Sequence, residues 1–409
     1  MNFLTEIREG FGISWDAIRA NKLRSVLTTL GIVIGIVTVT LMGTAITGLN
    51  NAFLKSISML GADVFYVDRN QWIETDENDW QQRQKRRKIR YTDAEELVGQ
   101  LKLSSAVVPA ADAGLPLKYK NRSASRVWVV GTTEEYQITS GVNVAEGHFF
   151  SAADAAGGRP VCVIGTDVAT NLFRGEPPLG HKIKVADQSF EVIGVLEKQG
   201  SFLGMFSLDN RVVIPLKQFM ASIWWDPSVT IQVKARELVQ LDEAREELRA
   251  AMRRVRRIAP SQPDDFSINQ QDQFVKVFNR VAGTIAVIGL FITGLSLFVG
   301  GIGIMNIMFV SVAERTREIG IRKAIGAKRR TIMLQFLTEA ACICVLGGLI
   351  ALAIAWPLTL LLRHMIPATM SLPVVGIALG VSLVTGVVAG LLPAWRAARM
   401  NPVDALRAE

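Results

Sequence analysis

Four segments of this chain are long and apolar enough to leave water altogether, and nothing else in it constrains the fold as strongly. "VLTTLGIVIGIVTVTLMGTAITGL" (Val26 to Leu49) contains no charged residue, and neither do the runs Val281 to Val312, Ala340 to Leu362 and Val374 to Leu392. About 20 apolar residues in a helix cross the ~30 Å hydrocarbon core of a bilayer. Lipid offers no partner to a free peptide group, so each run must be helical, with the backbone satisfying its own hydrogen bonds. The second run is longer than a membrane requires. Pro357 is expected to kink the third run and Pro393 to stop the fourth, because proline removes a helix hydrogen bond and clashes with the turn before it. The first run is too long for the apolar core of a cleaved leader and has no small-residue cleavage site after it.

Charge sets the expected orientation, since Lys and Arg collect at the cytoplasmic ends of spans. Arg19, Lys22 and Arg24 precede the first span, and Arg396 and Arg399 follow the fourth. Residues 314–330, between the second and third, carry seven basic and two acidic residues, +5 of the formal net charge of +8. The turn between the third and fourth spans has only Arg363 and His364. Both termini and the 314–330 loop are therefore expected in the cytoplasm. The expected segments are 1–22, spans at 23–49, 276–313, 331–363 and 372–395, an extracytoplasmic domain at 50–275, and a tail at 396–409. In the first segment Phe3, Leu4, Ile7, Phe11, Trp15 and Ile18 fall at helical spacing, which predicts an amphipathic helix lying on membrane lipid. Outside the loop the charges nearly balance, so the chain lacks the broadly basic surface of a nucleic-acid binder.

Small residues recur within the spans, at Gly31 and Gly35, Gly376 and Gly380, Gly386 and Gly390, and Gly300, Gly301 and Gly303. In lipid such residues let helix backbones approach closely. Gly31 and Gly35 are a candidate dimer contact, with packing inside one chain as the alternative.

The fold class expected is a membrane protein with four transmembrane α-helices and a large extracytoplasmic α+β domain inserted between helices 1 and 2. Within that domain, "SRVWVVGT", "PVCVIG", "KIKVADQSFEVIGVLE", "NRVVIPL", "VTIQVKA" and "DDFSINQ" read as strands. Two βαβ-like passages flank a β-rich middle, which predicts one subdomain interrupted by another. "YTDAEELVGQL" reads as a helix capped by Thr92 with Glu95 closing a capping box. The run "RQKRRKIR" (83–90) reads as a solvated loop or a patch for an anionic partner, and "QGSFLGMF" (199–206) as an apolar-tipped loop facing cargo or an adaptor, or packed between strands. Nothing here resembles catalytic equipment: there is no GxSxG, no HExxH and no phosphate-binding Gly-Lys-Ser/Thr loop. Cys162 stands alone, Cys342 and Cys344 point to different faces of one helix, and His148, His181 and His364 show no ligand spacing, so neither a disulfide framework nor a metal site is expected.

The loop "ERTREIGIRKAIGAKRR" (314–330) is more than a topological plug. As a helix it pairs Glu318 with Arg322 at i,i+4 and Arg315 with Glu318 at i,i+3. Ile321 and Ile325 share a face with Ala324 beside them, and Gly326 is the expected C-cap. Charges that only enforced topology would need neither the glutamates nor the isoleucines.

The stretch "MNIMFVSVAERTREIGIRKAIGAKRRTIMLQFLTEA" (305–340) closely resembles the signature of MacB-type (type VII, mechanotransmission) ABC transporter permeases, the macrolide-exporter, lipoprotein-release and FtsX superfamily. "LPAWRAARMNPVDALRAE", "RPVCVIGTDVATNLF", "EVIGVLEKQGSFLG" and "DNRVVIPL" resemble it too, so the likeness covers nearly the whole chain. It implies a coupling helix seated on a nucleotide-binding subunit, through Glu314, Arg315, Arg317, Glu318, Ile319, Gly320, Arg322, Lys323, Gly326 and Lys328. It implies a non-catalytic permease in the bacterial inner membrane, with no cofactor of its own. ATP and Mg would be held by a dimer of a separate ABC ATPase, because no phosphate loop precedes the interfacial helix. A second permease copy or paralogue, a periplasmic adaptor and an outer-membrane channel are the further partners implied. The function expected is ATP-driven movement of the outer domain for efflux or extraction of a substrate. The alternative is an FtsX-like signalling or scaffold protein that activates an extracytoplasmic partner, although an outer domain of roughly 230 residues favours the exporter and lipoprotein-release branches.

Overall fold

The computed structural model describes residues 22–57, 61–73, 86–202, 206–364 and 368–407. Apart from Lys22, the expected interfacial helix lies outside the described residues. In chain order the helices are α1 (Lys22–Ile57), α2 (Tyr91–Val98), α3 (Tyr136–Ser140), α4 (Ala152–Gly157), α5 (Thr166–Phe173), α6 (Leu216–Ser222), α7 (Leu241–Val255), α8 (Gln271–Glu314), α9 (Thr316–Ala324), α10 (Arg329–Leu362), α11 (Leu372–Arg399) and α12 (Pro402–Arg407). The strands are β1 (Val64–Asp68), β2 (Ser104–Tyr119), β3 (Arg122–Thr132), β4 (Val144–Gly147), β5 (Val161–Ile164), β6 (Lys182–Val185), β7 (Gln188–Leu196), β8 (Ser201–Phe202), β9 (Phe206–Ser207), β10 (Arg211–Pro215), β11 (Thr230–Ala235) and β12 (Ser267–Asn269). They form two compact units, Met1–Ala52 with Asn279–Glu409, and Phe53–Phe278.

In the first unit α1, α8, α10 and α11 are long and apolar enough to span a bilayer. Helix α8 has 44 residues, which at ~1.5 Å per residue is roughly twice the length a hydrocarbon core needs. It begins at Gln271, earlier than the apolar run suggests, because the polar turn "QDQF" continues the same helix. Pro393 does not stop α11, which runs on to Arg399. A proline costs one backbone hydrogen bond, and here burial of Pro393, Ala394, Ala397 and Ala398 in the helix packing holds the turn in place. Phe291, Leu295 and Phe298 on α8 and Leu361 on α10 remain exposed, an apolar surface that lipid covers.

The glycines set how closely these helices meet. A Cβ on Gly31 would lie 3.1 Å from the Cα of Gly300, and one on Gly35 would lie 3.1 Å from the Leu297 side chain. The surface read as a candidate dimer contact is thus filled by α8 of the same chain, because two glycine faces pack backbone to backbone. On the other pair of helices, a Cβ on Gly390 would fall 2.6 Å from that of Ala340, and one on Gly386 would fall 2.8 Å from Cys344. Ser382 fastens the same interface, its buried hydroxyl donating to the Cys344 carbonyl at 2.5 Å.

The second unit is built on one sheet in the order β12-β1-β11-β2-β3-β10-β5-β7-β4, with β6 pairing to β2 and β7. Among the described strands only β3 with β10 and β5 with β7 run parallel. Strands β1, β2, β11 and β12 come from the two ends of the domain, and the others from its middle. The two ends of the domain thus pair with each other, and the long pairing of β2 with β3 joins them to the middle in one sheet, so the domain is one compact unit rather than two subdomains. One face carries Phe65, Val67, Val127, Val129 and Ile231 in the main core, with Phe219 of α6 and Leu248 and Met252 of α7. Phe53 and Phe278, from the ends of α1 and α8 in this unit, stack at 4.3 Å.

Two local readings change. The N-cap of α2 is Arg90, not Thr92, and the Asp93 carboxylate rather than Glu95 accepts from the Arg90 N–H, at 3.1 Å. Asp93 wins because it also faces Arg256, 2.9 Å away. The basic run is tied down where it is described, although Arg87, Lys88 and Arg90 stay exposed to water. Arg87 pairs with Asp265 at 3.0 Å, Arg86 donates to the Ser267 hydroxyl, and Ile89 is fully buried. Arg256 lies at the centre of this knot, buried against Asp93 and Asp265 and donating to the carbonyls of Arg87 and Lys88. Its charge is kept because every donor direction meets an oxygen. Burial pushes the Asp265 carboxyl upward, but Arg256 and Arg87 more than offset this and hold it below the usual carboxylate range.

Candidate coupling site

The charged loop folds as α9 between α8 and α10. Thr316 starts it, donating its hydroxyl to the Ala313 carbonyl at 2.8 Å. Gly326 ends it at φ +102°, where the Gly326 N–H reaches the Lys323 carbonyl and the Ala327 N–H reaches that of Arg322. These two bonds make a Schellman stop, and the left-handed residue it requires is why glycine sits there.

The structure divides the ten residues read from the sequence into three groups, the third being the half-buried Arg315 and Lys323. Ile319 and Gly320 face inward, and Ile319 joins the core formed by Met308, Val312, Ile332, Phe336 and Ala397. Glu314, Arg317, Glu318, Arg322, Gly326 and Lys328 are exposed. Glu318 and Arg322 pair at 2.5 Å, and Arg322 also donates to the Gln335 side chain at 2.7 Å. Ile321 is 44% exposed and Ile325 is 83% exposed, so the apolar pair lies on the uncovered side. The outer face is thus a mixed apolar and charged ridge in water.

Arg315 and Lys323 serve a purpose that local spacing did not reveal. Arg315 turns away from Glu318 and meets Glu339 on α10 at 3.3 Å. The Glu339 side chain is only 5% exposed, and an opposite charge is what makes its burial tolerable. Competition decides the partner, because Glu318 has water and Arg322 whereas Glu339 has neither. Lys323 donates to the carbonyls of Ala398 at 2.7 Å and Met400 at 2.5 Å. It places a cation at the C-terminal end of α11, where the helix dipole and unbonded carbonyls favour one. Burial, with Arg329 nearby, pushes the Lys323 amine down from its usual range. The sequence cue to the first tie was Glu339, the one acidic residue of α10, set between uncharged stretches.

In the second unit the described part of "QGSFLGMF" is the base of a hairpin, with 203–205 outside the described residues. The buried Asp209 carboxylate accepts from the N–H groups of Gln199 at 2.7 Å and Gly200 at 2.9 Å. This clamps the base to the domain.

Four membrane-crossing helices, an α+β domain set between the first two, and a charged helix between the second and third define a transporter permease. Residues 25–251 match the MacB-like periplasmic core domain family, and residues 290–402 match the FtsX-like permease C-terminal family. The chain belongs to the MacB-type ABC transporter permeases. It is 32% identical to the macrolide export ATP-binding/permease protein MacB of Bdellovibrio bacteriovorus, over 99% of this chain and 62% of that protein. It is also 32% identical to the pyoverdine export ATP-binding/permease protein PvdT of Pseudomonas entomophila, over 99% of this chain and 60% of that protein. The chain therefore spans about 60% of the length of these curated relatives. Among solved structures, the periplasmic region of MacB from Actinobacillus actinomycetemcomitans aligns with a TM-score of 0.45 and 19% identity, covering 55% of this chain and 95% of that one.

Proposed function

We propose that this permease receives the work of ATP hydrolysis on the outer face of α9 and passes it to the α+β domain, driving efflux or extraction of a substrate. The carrying observation is the two-sidedness of α9. Ile319, Arg315 and Lys323 bind it to the membrane helices, while Glu318, Arg322, Ile321 and Ile325 are left for a partner. The partner is an ABC-type nucleotide-binding domain, which holds the ATP and Mg. The basic loop and the arginines at the end of α11 support a cytoplasmic α9, with the α+β domain on the far side of the bacterial inner membrane. Helices α1 and α8 contribute residues to both units and are the elements through which movement passes. The relatives' names, macrolide export and pyoverdine export, support efflux over signalling. The working unit pairs two permeases, with an adaptor and an outer-membrane channel completing the route.

The test is ATP hydrolysis in proteoliposomes containing the permease and its nucleotide-binding partner. Glu318→Lys with Ile325→Asp is expected to abolish permease-stimulated hydrolysis while leaving purified permease folded. Undiminished stimulation would refute the assigned face.

A further inference from the structure

The α+β domain holds a second feature that coupling does not use. A cavity of about 590 Å³ lies on the sheet face away from the main core, within the size range of small-molecule sites. Strand alternation places it there. Val127 and Val129 point into the core, so Arg126, Trp128 and Val130 point the other way. By the same alternation Tyr66 and Gln232, partners across β1 and β11, share that side. Strand β2 runs between β11 and β3, its Ala106, Val108 and Ala110 facing this side and its Gly114 opposite Trp128.

One wall has a definite chemistry. Arg211 is paired in register with Trp128, and Arg126 is two residues further along the same face. Arg211 is braced by its bonds to the Leu208 carbonyl at 2.5 Å and the Gln199 side chain at 2.9 Å. Asn210 donates to the Arg126 carbonyl at 3.0 Å and joins the lining. Trp128 is 53% exposed, although it sits at the centre of this wall. Among the described residues that line the cavity none is acidic. Asp68 and Asp112 lie on the same sheet face beyond the lining, and burial pushes both carboxyls up from their usual range.

We propose that this cavity binds a small amphipathic molecule, its ring system against Trp128 and its anionic group between Arg126 and Arg211. Guanidinium groups meet carboxylate or sulfonate oxygens with paired, charge-assisted hydrogen bonds. An aromatic wall takes a planar body by stacking and area burial. Together they select a ring-bearing anion over a neutral or cationic molecule with the same ring. The site is independent of the ATP-coupling face, so it stands or falls separately.

The experiment uses the full chain in lipid nanodiscs and three probes that share one ring: 2-naphthoate, 2-naphthalenemethanol and 2-naphthylmethylamine. Saturation-transfer NMR and titration of tryptophan fluorescence report binding, with empty nanodiscs subtracted. Naphthoate is expected to bind at least tenfold more tightly than the amine. Trp128→Ala and Arg126→Gln should each weaken it at least fivefold, while Trp225→Ala, at an exposed tryptophan outside the lining, should change nothing. Both test residues are exposed, so folding is not at stake, and Trp128→Phe should retain part of the binding. The proposal is overturned if naphthoate does not bind, if the amine binds as well or better, or if Trp128→Ala leaves affinity unchanged.

Discussion

The ion pair between Arg315 and Glu339 makes an asymmetric prediction. The Arg315 side chain is 26% exposed and that of Glu339 is 5% exposed. Replacing Arg315 with Met strands a buried carboxylate, a loss of about 3–5 kcal/mol for a broken buried pair. Replacing Glu339 with Gln leaves an acceptor of the same shape, and Arg315 can still reach water. That change costs about 1.5–3 kcal/mol, the value of a hydrogen bond to a charged group. Removing both, as Arg315→Met with Glu339→Leu, deletes the desolvation cost along with the attraction and should recover most of the loss. Equilibrium unfolding in SDS mixed micelles, followed by helical circular dichroism, orders the three variants. The double variant separates stability from transmission: it should unfold near wild type yet stimulate ATP hydrolysis less well, because the ion pair between the start of α9 and α10 is gone while the Arg322–Gln335 and Ile319 contacts remain. The reasoning fails if Arg315→Met is no worse than Glu339→Gln, or if the double variant is as unstable as Arg315→Met.

Three further outcomes follow from the packing and the charges. Gly390→Ala should destabilise the helices by about 1–3 kcal/mol through overpacking against Ala340, whereas Gly376→Ala and Gly380→Ala, which meet nothing within 4 Å, should be silent in the same unfolding assay. Since Asp265 has a folded-state pKa held below its unfolded value of about 3.9, its stabilisation is present above that pH and is lost as pH falls through the lower folded value. Asp265→Asn should therefore weaken the domain at pH 7 and flatten its acid unfolding below about pH 4, followed by near-ultraviolet circular dichroism. Cys162 is fully buried and burial pushes its thiol up, so with Cys342 and Cys344 replaced by Ser, maleimide should label it only after denaturation; labelling of the native protein at the rate of a free thiol would contradict that burial.

Period and length made the spans and most strands legible. Apolar runs uninterrupted by charge can only be helices in lipid, and the short apolar run in "RVVIP" or the alternation in "TIQVK" is a property of neighbouring residues. Strand β2 was hidden because Pro109, Pro116 and four alanines blur its alternation; pairing on both sides, with β11 and β3, makes it a strand. The end of α11 was misread because a local rule about Pro393 took no account of the buried alanines around it.

At the coupling site the division is sharper. The sequence by itself determined that α9 exists, that Glu318 pairs with Arg322, and that Gly326 ends the helix. Each of these depends on residues within one or two turns. Only the tertiary structure decided that Arg315 belongs to Glu339, 24 residues away, and Lys323 to the end of α11, 75 residues away. It also decided that Ile319 is the anchor while Ile321 and Ile325 stay free. Those choices turn on which charge is left without water once the helices pack, and on which side of a short helix faces its neighbours. Neither is a property of adjacent residues.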